Sequence, residues 1–209
     1  MKLKKLLTIS LLTLSLLFTV AAEAQEFHGA FGFGGIKAPG MSTNSVGIPF
    51  PSISGGLYPS FSGIFILKHH LGFGGQVSWR ARQALYQQPS FGGLNGFVGP
   101  YRPIFYNFDA VYGRKFGKKL GADVMAGIGG LDLRFYTPVF NCGFTGCTNY
   151  VSSNHFAGHF GADVRYYFWG NAFIRPEAHY YVVRNNVEFN GANVARFAVS
   201  IGYSFMPGF

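Results

Sequence analysis

Charged residues are scarce in this chain. Asp, Glu, Lys and Arg make up 12% of its 209 residues, and only eight of them are acidic. A typical soluble domain carries about 25% charged residues, much of it on the surface. Aromatic residues are abundant instead, at 18%. Few charges together with many aromatic side chains disfavour an ordinary soluble surface and favour one that contacts lipid.

Long hydrophobic runs are absent beyond the N-terminus. No stretch of the later sequence has the length of apolar residues that a membrane-spanning helix needs, about 20. At the start, Lys2, Lys4 and Lys5 precede an apolar run over 6–20, and the run Ala22-Glu23-Ala24 resembles a cleavage site. These features predict a secretory signal peptide over residues 1–24 and a mature domain over 25–209. The alternative is an uncleaved anchor, for which the apolar run is short.

Cysteine is nearly absent, and the two that occur lie close together, at Cys142 and Cys147. In an exported protein this spacing predicts a disulfide within one loop. A metal-binding pair is the alternative, although the loop contains no histidine. The net charge of +9 could indicate nucleic acid, but an exported chain does not ordinarily meet it.

Several catalytic and cofactor motifs are missing as well. The glycine-rich runs at 31–35 and 72–75 precede neither a helix nor a Gly-Lys-Ser/Thr sequence, so they do not indicate a phosphate-binding loop. The chain contains no Gly-x-Ser-x-Gly motif. The sequence therefore indicates no cofactor, no metal site and no catalytic residue.

Strand-like alternation dominates what remains. In the last segment, Phe197, Val199, Ile201, Tyr203 and Phe205 alternate with small or polar residues, which gives one apolar and one polar face. Eight segments are predicted as strands: 26–37, 56–68, 71–83, 101–114, 119–135, 154–168, 172–184 and 193–205. The second is the weakest, because Ile64 and Ile66 fall on its inner face. Each is long enough to cross a membrane as a tilted strand.

The connections between these segments alternate between short and long. This order is typical of barrels with short periplasmic turns and long external loops. The sequence thus predicts an all-β fold, an eight-stranded antiparallel up-and-down transmembrane β-barrel. Gly129-Gly130 predicts a β-bulge in the fifth segment. The bulge would turn the next apolar residues outward and the next charged residues inward: Leu131, Leu133 and Phe135 against Asp132 and Arg134.

The charged residues fall mainly on the inward faces. One set is expected in the lower to middle lumen: Asp109, Asp123, Asp163, Arg165, Arg175 and Glu177. Buried charges in so narrow a barrel must be paired, so a salt-bridged plug is the simplest interpretation. A proton or ion path and a catalytic constellation remain alternatives.

A second set of charges is expected higher, as a positive rim at the external mouth: Arg80, Arg82, Arg134 and Arg196. Such a rim could attract an anion or a lipopolysaccharide phosphate, or it could be solvated arginines without a ligand. The external loops over 38–55, 83–100 and 137–153 contain no charged residue. They would be contact surfaces, an apolar collar or neutral loops.

The run from Ile174 to Tyr181 (IRPEAHYY) and the closing run from Ile201 to Phe205 (IGYSF) carry a family resemblance. The mature sequence resembles the small outer-membrane β-barrel family, the eight-stranded, porin-like OmpA/OmpX type. The resemblance implies a bacterial outer-membrane location, with membrane lipids and lipopolysaccharide as partners. It also implies that Tyr203 and Phe205, or Phe209, form the aromatic signal that the barrel-assembly machinery reads.

Three functions compete on this evidence. The first is a non-enzymatic barrel with a structural, surface-contact or minor permeability role. The second is a narrow channel for small or apolar solutes. The third is a lipid A-modifying enzyme, for which Ser152, Ser153 and His155 lie at a suitable level. Against the enzyme, the His-x-Ser-Asn order of such deacylases is absent and Glu177 lies too deep. The sequence identifies no external ligand.

Overall fold

The computed structural model describes residues 26–38, 52–67, 70–87, 98–143, 146–191 and 193–205. The predicted signal peptide and Phe209 lie outside these residues, so they stay predictions. Among the described residues, no helix is long and apolar enough to cross a membrane.

The described residues form nine antiparallel strands and a short 3₁₀ helix, Val187–Phe189. The strands are β1 Glu26–Lys37, β2 Tyr58–Ile66, β3 Leu71–Trp79, β4 Ala84–Gln87, β5 Val98–Phe116, β6 Leu120–Gly143, β7 Gly146–Trp169, β8 Ala172–Val183 and β9 Val194–Phe205.

The sheet closes on itself. Strands adjacent in sequence pair with each other except β3 and β4; β9 pairs with β1, and β3 pairs with β5. Strand β4 lies beyond β3 and pairs with the far end of β5. The ring therefore contains eight strand positions, with β3 and β4 sharing one, and closure leaves it without a free edge.

The predicted segments match this ring with three differences. The strand predicted over 71–83 ends at Trp79, and a separate strand, β4, lies within the predicted external loop over 83–100. The prediction of an irregular loop over 137–153 is wrong, because β6 extends to Gly143 and β7 begins at Gly146. The third difference is the predicted bulge.

No bulge occurs at Gly129-Gly130. The pairing of β6 with β5 and with β7 runs through both glycines without a shift. Leu131 and Leu133 therefore face inward and are completely buried, while Asp132 and Arg134 face outward. Glycine instead allows the backbones of β5 and β6 to lie close together at this point. A Cβ at Gly129 would lie 2.0 Å from the Tyr106 carbonyl oxygen.

Side chains alternate between a buried and an exposed face along most of the strands. On β8 the burial pattern alternates without a break from Phe173 to Val183. The exposed face is apolar, with Phe31, Phe61, Phe108 and Phe160 among its large side chains. The buried face holds most of the charged residues of the strands. This polarity is the reverse of a soluble barrel, in which the apolar side chains fill the interior.

The two ends of the barrel differ. At one end, called here the short-turn end, the connections at 117–119 and 170–171 are tight turns. The other end is called the long-loop end. Its lumen is filled by what we call the long-loop cluster of buried apolar residues: Ile36, Ala38, Ile53, Tyr58, Tyr86, Tyr101, Phe105, Leu131, Leu133, Ala157, Tyr181, Val183, Phe189 and Val194.

Ile64 and Ile66 face inward, as the sequence indicated. They form a smaller apolar group with Val111 and Met125 on one wall of the lumen. This group explains the poor alternation of the second segment, because this part of the wall is apolar on both faces.

Candidate functional site: the charged lumen

The lumen between the short-turn end and the long-loop cluster holds a network of enclosed polar side chains. The six residues predicted for a lumen charge network all lie in it, and each is at most 5% exposed: Asp109, Asp123, Asp163, Arg165, Arg175 and Glu177. Strand alternation places all six on inward positions, and neighbouring strands bring them together.

Arg165 organises the part of the network nearest the short-turn end. Its Nη2 donates to Asp123 Oδ1 at 2.7 Å, and its Nη1 donates to the Tyr167 hydroxyl at 3.1 Å. The same guanidinium contacts the ring of His28, whose Nδ1 lies 2.7 Å from Ser204 Oγ. Lys115 Nζ and Glu26 Oε1 form a further ion pair at 2.6 Å at this end.

Glu177 is the centre of the middle part. Arg175 Nη2 lies 3.0 Å from its Oε2, and Arg196 Nη1 lies 3.5 Å from its Oε1. Ser200 Oγ and Gln76 Nε2 donate to the same Oε1 at 2.9 and 3.4 Å. Two cations and two neutral donors therefore compensate this buried carboxylate, as an enclosed charge requires.

Arg196 was predicted for the positive rim, and that prediction is wrong. Its side chain is fully enclosed, donates to Ser60 Oγ at 2.7 Å and to Gln76 Oε1 at 3.3 Å, and pairs with Glu177. The long arginine side chain lets it reach a carboxylate deeper in the lumen than its own Cα. Strand position alone therefore overestimated its height.

A histidine pair connects Asp109 with Glu177. His159 Nδ1 lies 2.7 Å from Asp109 Oδ1, and His159 Nε2 lies 3.0 Å from His179 Nδ1. His179 Nε2 in turn lies 3.5 Å from Glu177 Oε2. The polar groups are thus continuous across the middle lumen, although they end at the long-loop cluster.

Space inside this network is small. One cavity is lined by Ser62, Ile64, Gln76, Asp109, Arg175 and Glu177 among others. It has room for about one water molecule. Several enclosed polar atoms, including both carboxylate oxygens of Asp163 and Nε of Arg175, have no hydrogen-bond partner among the described residues.

The other predicted rim arginines do not form one cluster. Arg80 Nη1 donates to the Tyr101 hydroxyl at 3.3 Å, and Arg82 is exposed. Arg134 faces outward, where its Nε donates to Asp132 Oδ2 at 2.8 Å. The predicted rim is therefore divided between the lumen, the mouth and the outer wall.

Ser153, His155 and Glu188 meet near the long-loop end. Ser153 Oγ donates to Glu188 Oε1 at 2.5 Å, and His155 Nε2 lies 3.2 Å from Ser153 Oγ and 3.1 Å from Glu188 Oε2. A catalytic triad uses the two ring nitrogens separately, one for the nucleophile and one for the acid. Here a single nitrogen faces both groups, an arrangement that differs from a triad, and the contacts fasten the 3₁₀ helix to β7.

Sequence reasoning missed two contributors. Glu188 lies in the short 3₁₀ helix between β8 and β9 and belongs to no alternating pattern, so only the fold reveals its contacts. The long-loop cluster was missed because of the bulge prediction: unbroken alternation through Gly129-Gly130 would have placed Leu131 and Leu133 inside. Among the described residues, no group of three or more His, Cys, Asp or Glu side chains could hold a metal ion.

Two predicted features lie away from the lumen. Cys142 and Cys147 are cross-strand partners in the β6–β7 hairpin, which is compatible with the predicted disulfide. Tyr203 and Phe205 face outward at the end of β9, with ring centroids 4.9 Å apart.

No protein-family model matches the chain, and no curated protein matches it. Solved structures do. Neisserial surface protein A aligns with a TM-score of 0.58 at 12% identity, over 86% of this chain and 97% of that chain. The attachment invasion locus protein Ail of Yersinia pestis, in complex with the heparin analogue sucrose octasulfate, gives 0.53 at 13%, over 86% and 98%.

A major outer-membrane protein of Thermus thermophilus gives a TM-score of 0.52 at 11% identity, over 86% of this chain and 99% of that chain. At such low identities these likenesses concern the fold. The chain has the fold of the small outer-membrane β-barrels, an eight-stranded antiparallel barrel.

Proposed function

We propose that this protein is an integral barrel of a bacterial outer membrane, with a structural or surface-contact role and no catalytic activity. Its lumen is a salt-bridged plug that stabilises the barrel and does not conduct solutes. Membrane lipids and lipopolysaccharide surround it.

The reversed polarity of the barrel carries this proposal. Large apolar side chains cover the outer face, from Phe31 on β1 to Phe205 on β9, while Asp123, Arg165 and Glu177 are enclosed. Exposed apolar patches of this extent are unfavourable in water. They suit a lipid environment, in which outward positions are apolar and inward positions polar.

Two features of the lumen argue against the narrow-channel alternative. The long-loop cluster fills the lumen at one end with close-packed side chains such as Phe105, Leu131 and Tyr181. Below it, the guanidinium groups of Arg175 and Arg196 are held by ion pairs to Glu177, on the same and on the neighbouring strand. They also donate hydrogen bonds to Ser62 and Ser60 of β2. A conducting path would require both to open.

The lipid A-modifying alternative lacks a suitable catalytic arrangement. Ser153 and His155 are in contact, but the serine hydroxyl donates its hydrogen bond to Glu188. The histidine is therefore not oriented by an acid through its second ring nitrogen, as general-base catalysis by a triad requires.

Biogenesis follows from the sequence predictions. The signal peptide over 1–24 would direct export, and Tyr203, Phe205 or Phe209 would present the aromatic signal to the barrel-assembly machinery. In the oxidising periplasm Cys142 and Cys147 would form a disulfide that closes the long hairpin.

Refolding tests this proposal. The mature chain is expressed without residues 1–24, unfolded in urea and diluted into detergent micelles or lipid vesicles. We expect a species that migrates faster on a gel before boiling than after it, and that stays with the vesicles during carbonate extraction. A monomer that is folded and soluble in water without detergent would contradict the proposal.

A further inference from the structure

Two arginines lie opposite each other on the outer wall of the barrel. Arg102 on β5 and Arg134 on β6 are cross-strand partners, and both occupy outward positions. Like charges directly opposite each other on one sheet face are destabilising. A pair of this kind on a membrane-facing wall therefore calls for a compensating anion.

The protein supplies only part of that compensation. Arg134 donates to Asp132 at 2.8 Å and lies 4.8 Å from the Tyr150 ring centroid. For Arg102, the structure gives a contact to the Ala81 carbonyl oxygen at 3.5 Å and none to a carboxylate of the described residues. Its Nε is enclosed and has no hydrogen-bond partner among them. Two guanidinium groups thus face one carboxylate.

The position of the pair relative to the apolar wall indicates the kind of anion. Tyr106 on β5 and Ile128 on β6 belong to the exposed apolar wall, on the short-turn side of the arginines. Arg102 lies 5.9 Å from the Tyr136 ring centroid, and the ring of Tyr136 lies 5.9 Å from that of Tyr150. An amphiphile could therefore place its chains on the apolar wall and its charged group between the arginines and tyrosines.

We propose that Arg102 and Arg134 bind a phosphate group of a phosphorylated lipid in the membrane leaflet at the long-loop end. This inference rests on the proposed function, because it requires the barrel to stand in a membrane. Guanidinium groups match phosphate in geometry and can donate two parallel hydrogen bonds to it. Such a phosphate would supply the second anion that the two guanidinium groups lack among the described residues.

Native mass spectrometry of the refolded mature protein tests the site. The protein is released from micelles containing either lipid A with its phosphates or the same lipid dephosphorylated. We expect the protein to retain the phosphorylated lipid about tenfold more than the dephosphorylated one, a difference of about 1.4 kcal/mol in binding free energy. The double variant Arg102→Gln, Arg134→Gln should lose that preference. Arg184→Gln, which removes an exposed arginine just after β8, should keep it.

The outcomes separate this inference from the proposed function. Equal retention of both lipids by the wild type, or an unchanged preference in the double variant, would overturn the lipid site while the heat-modifiable barrel remains. Displacement of the lipid by inorganic phosphate at equal concentration would overturn the lipid assignment. Failure of the wild-type chain to enter micelles or vesicles would overturn the proposed function.

Discussion

Asp123 on β6 and Asp163 on β7 are cross-strand partners, and both side chains are buried in the lumen. Only Asp123 has a close cation, Arg165 Nη2 at 2.7 Å. For Asp163 the nearest ion pair is with Arg175 Nη1 at 3.8 Å. Two neighbouring acids of the network therefore contribute differently to its stability.

This difference predicts unequal effects of neutralising the two acids. Asp123→Asn leaves Arg165 buried without its carboxylate and should lower the free energy of unfolding by about 3 kcal/mol. Asp163→Asn removes a like charge opposite Asp123 and should change it by less than about 1 kcal/mol. Urea unfolding in micelles, followed by tryptophan fluorescence, measures both. Equal destabilisation would show that the two carboxylates are equivalent.

Arg196 allows a second comparison, with Arg82 as its control. Arg196→Gln removes an enclosed partner of Glu177 and should lower the free energy of unfolding by about 3 kcal/mol. Arg82→Gln affects an exposed side chain and should change it by no more than about 0.5 kcal/mol. For both variants, the measurement is the temperature at which half of the protein changes from the faster, folded gel species to the slower, unfolded one. If Arg196→Gln left the free energy of unfolding unchanged, the enclosed ion pair with Glu177 would be contradicted and a solvated arginine at the rim supported.

The glycines of the barrel wall give a matched pair as well. Gly129→Ala places a methyl group 2.0 Å from the Tyr106 carbonyl oxygen, whereas Gly158→Ala meets no atom within 4 Å. We expect the first variant to refold with a lower yield and the second to refold like the wild type, because packed backbones cannot separate without losing hydrogen bonds. Folded fractions on unboiled gels check this. Equal yields would mean that β5 and β6 lie further apart at this level.

The predicted disulfide can be tested on protein isolated from cell envelopes. Treatment with iodoacetamide in urea without reductant should leave Cys142 and Cys147 unmodified, and prior reduction should allow both to react. Intact mass measurement distinguishes the two states. Two alkylated cysteines without reduction would contradict the prediction.

Much of the fold could be predicted from the sequence, because side-chain period and turn residues are local properties. The strand over 26–37 was predicted with its observed bounds, and the strand predicted over 193–205 begins one residue later. Inward charges such as Asp109 and Arg175 followed from the same alternation. The lumen network could therefore be anticipated as a set of residues.

The sequence predictions were wrong where the structure depends on contacts between distant parts of the chain that a local residue pattern does not contain. Gly129 and Gly130 suggested a bulge, but glycine at that point serves the close approach of β5, which no local pattern encodes. The depth of Arg196 depended on how far its side chain extends toward Glu177. The polar and glycine residues over 137–153 do not alternate and so predict a loop, although the pairing of β6 with β7 extends to Gly143 and Gly146.

A closed lumen is the central claim, and planar-bilayer recording of the refolded mature protein tests it most directly. With a general-diffusion porin as positive control in the same lipid, the long-loop cluster and the paired arginines predict no stepwise current above the bare bilayer. Reproducible single-channel openings from the refolded barrel would contradict a salt-bridged plug.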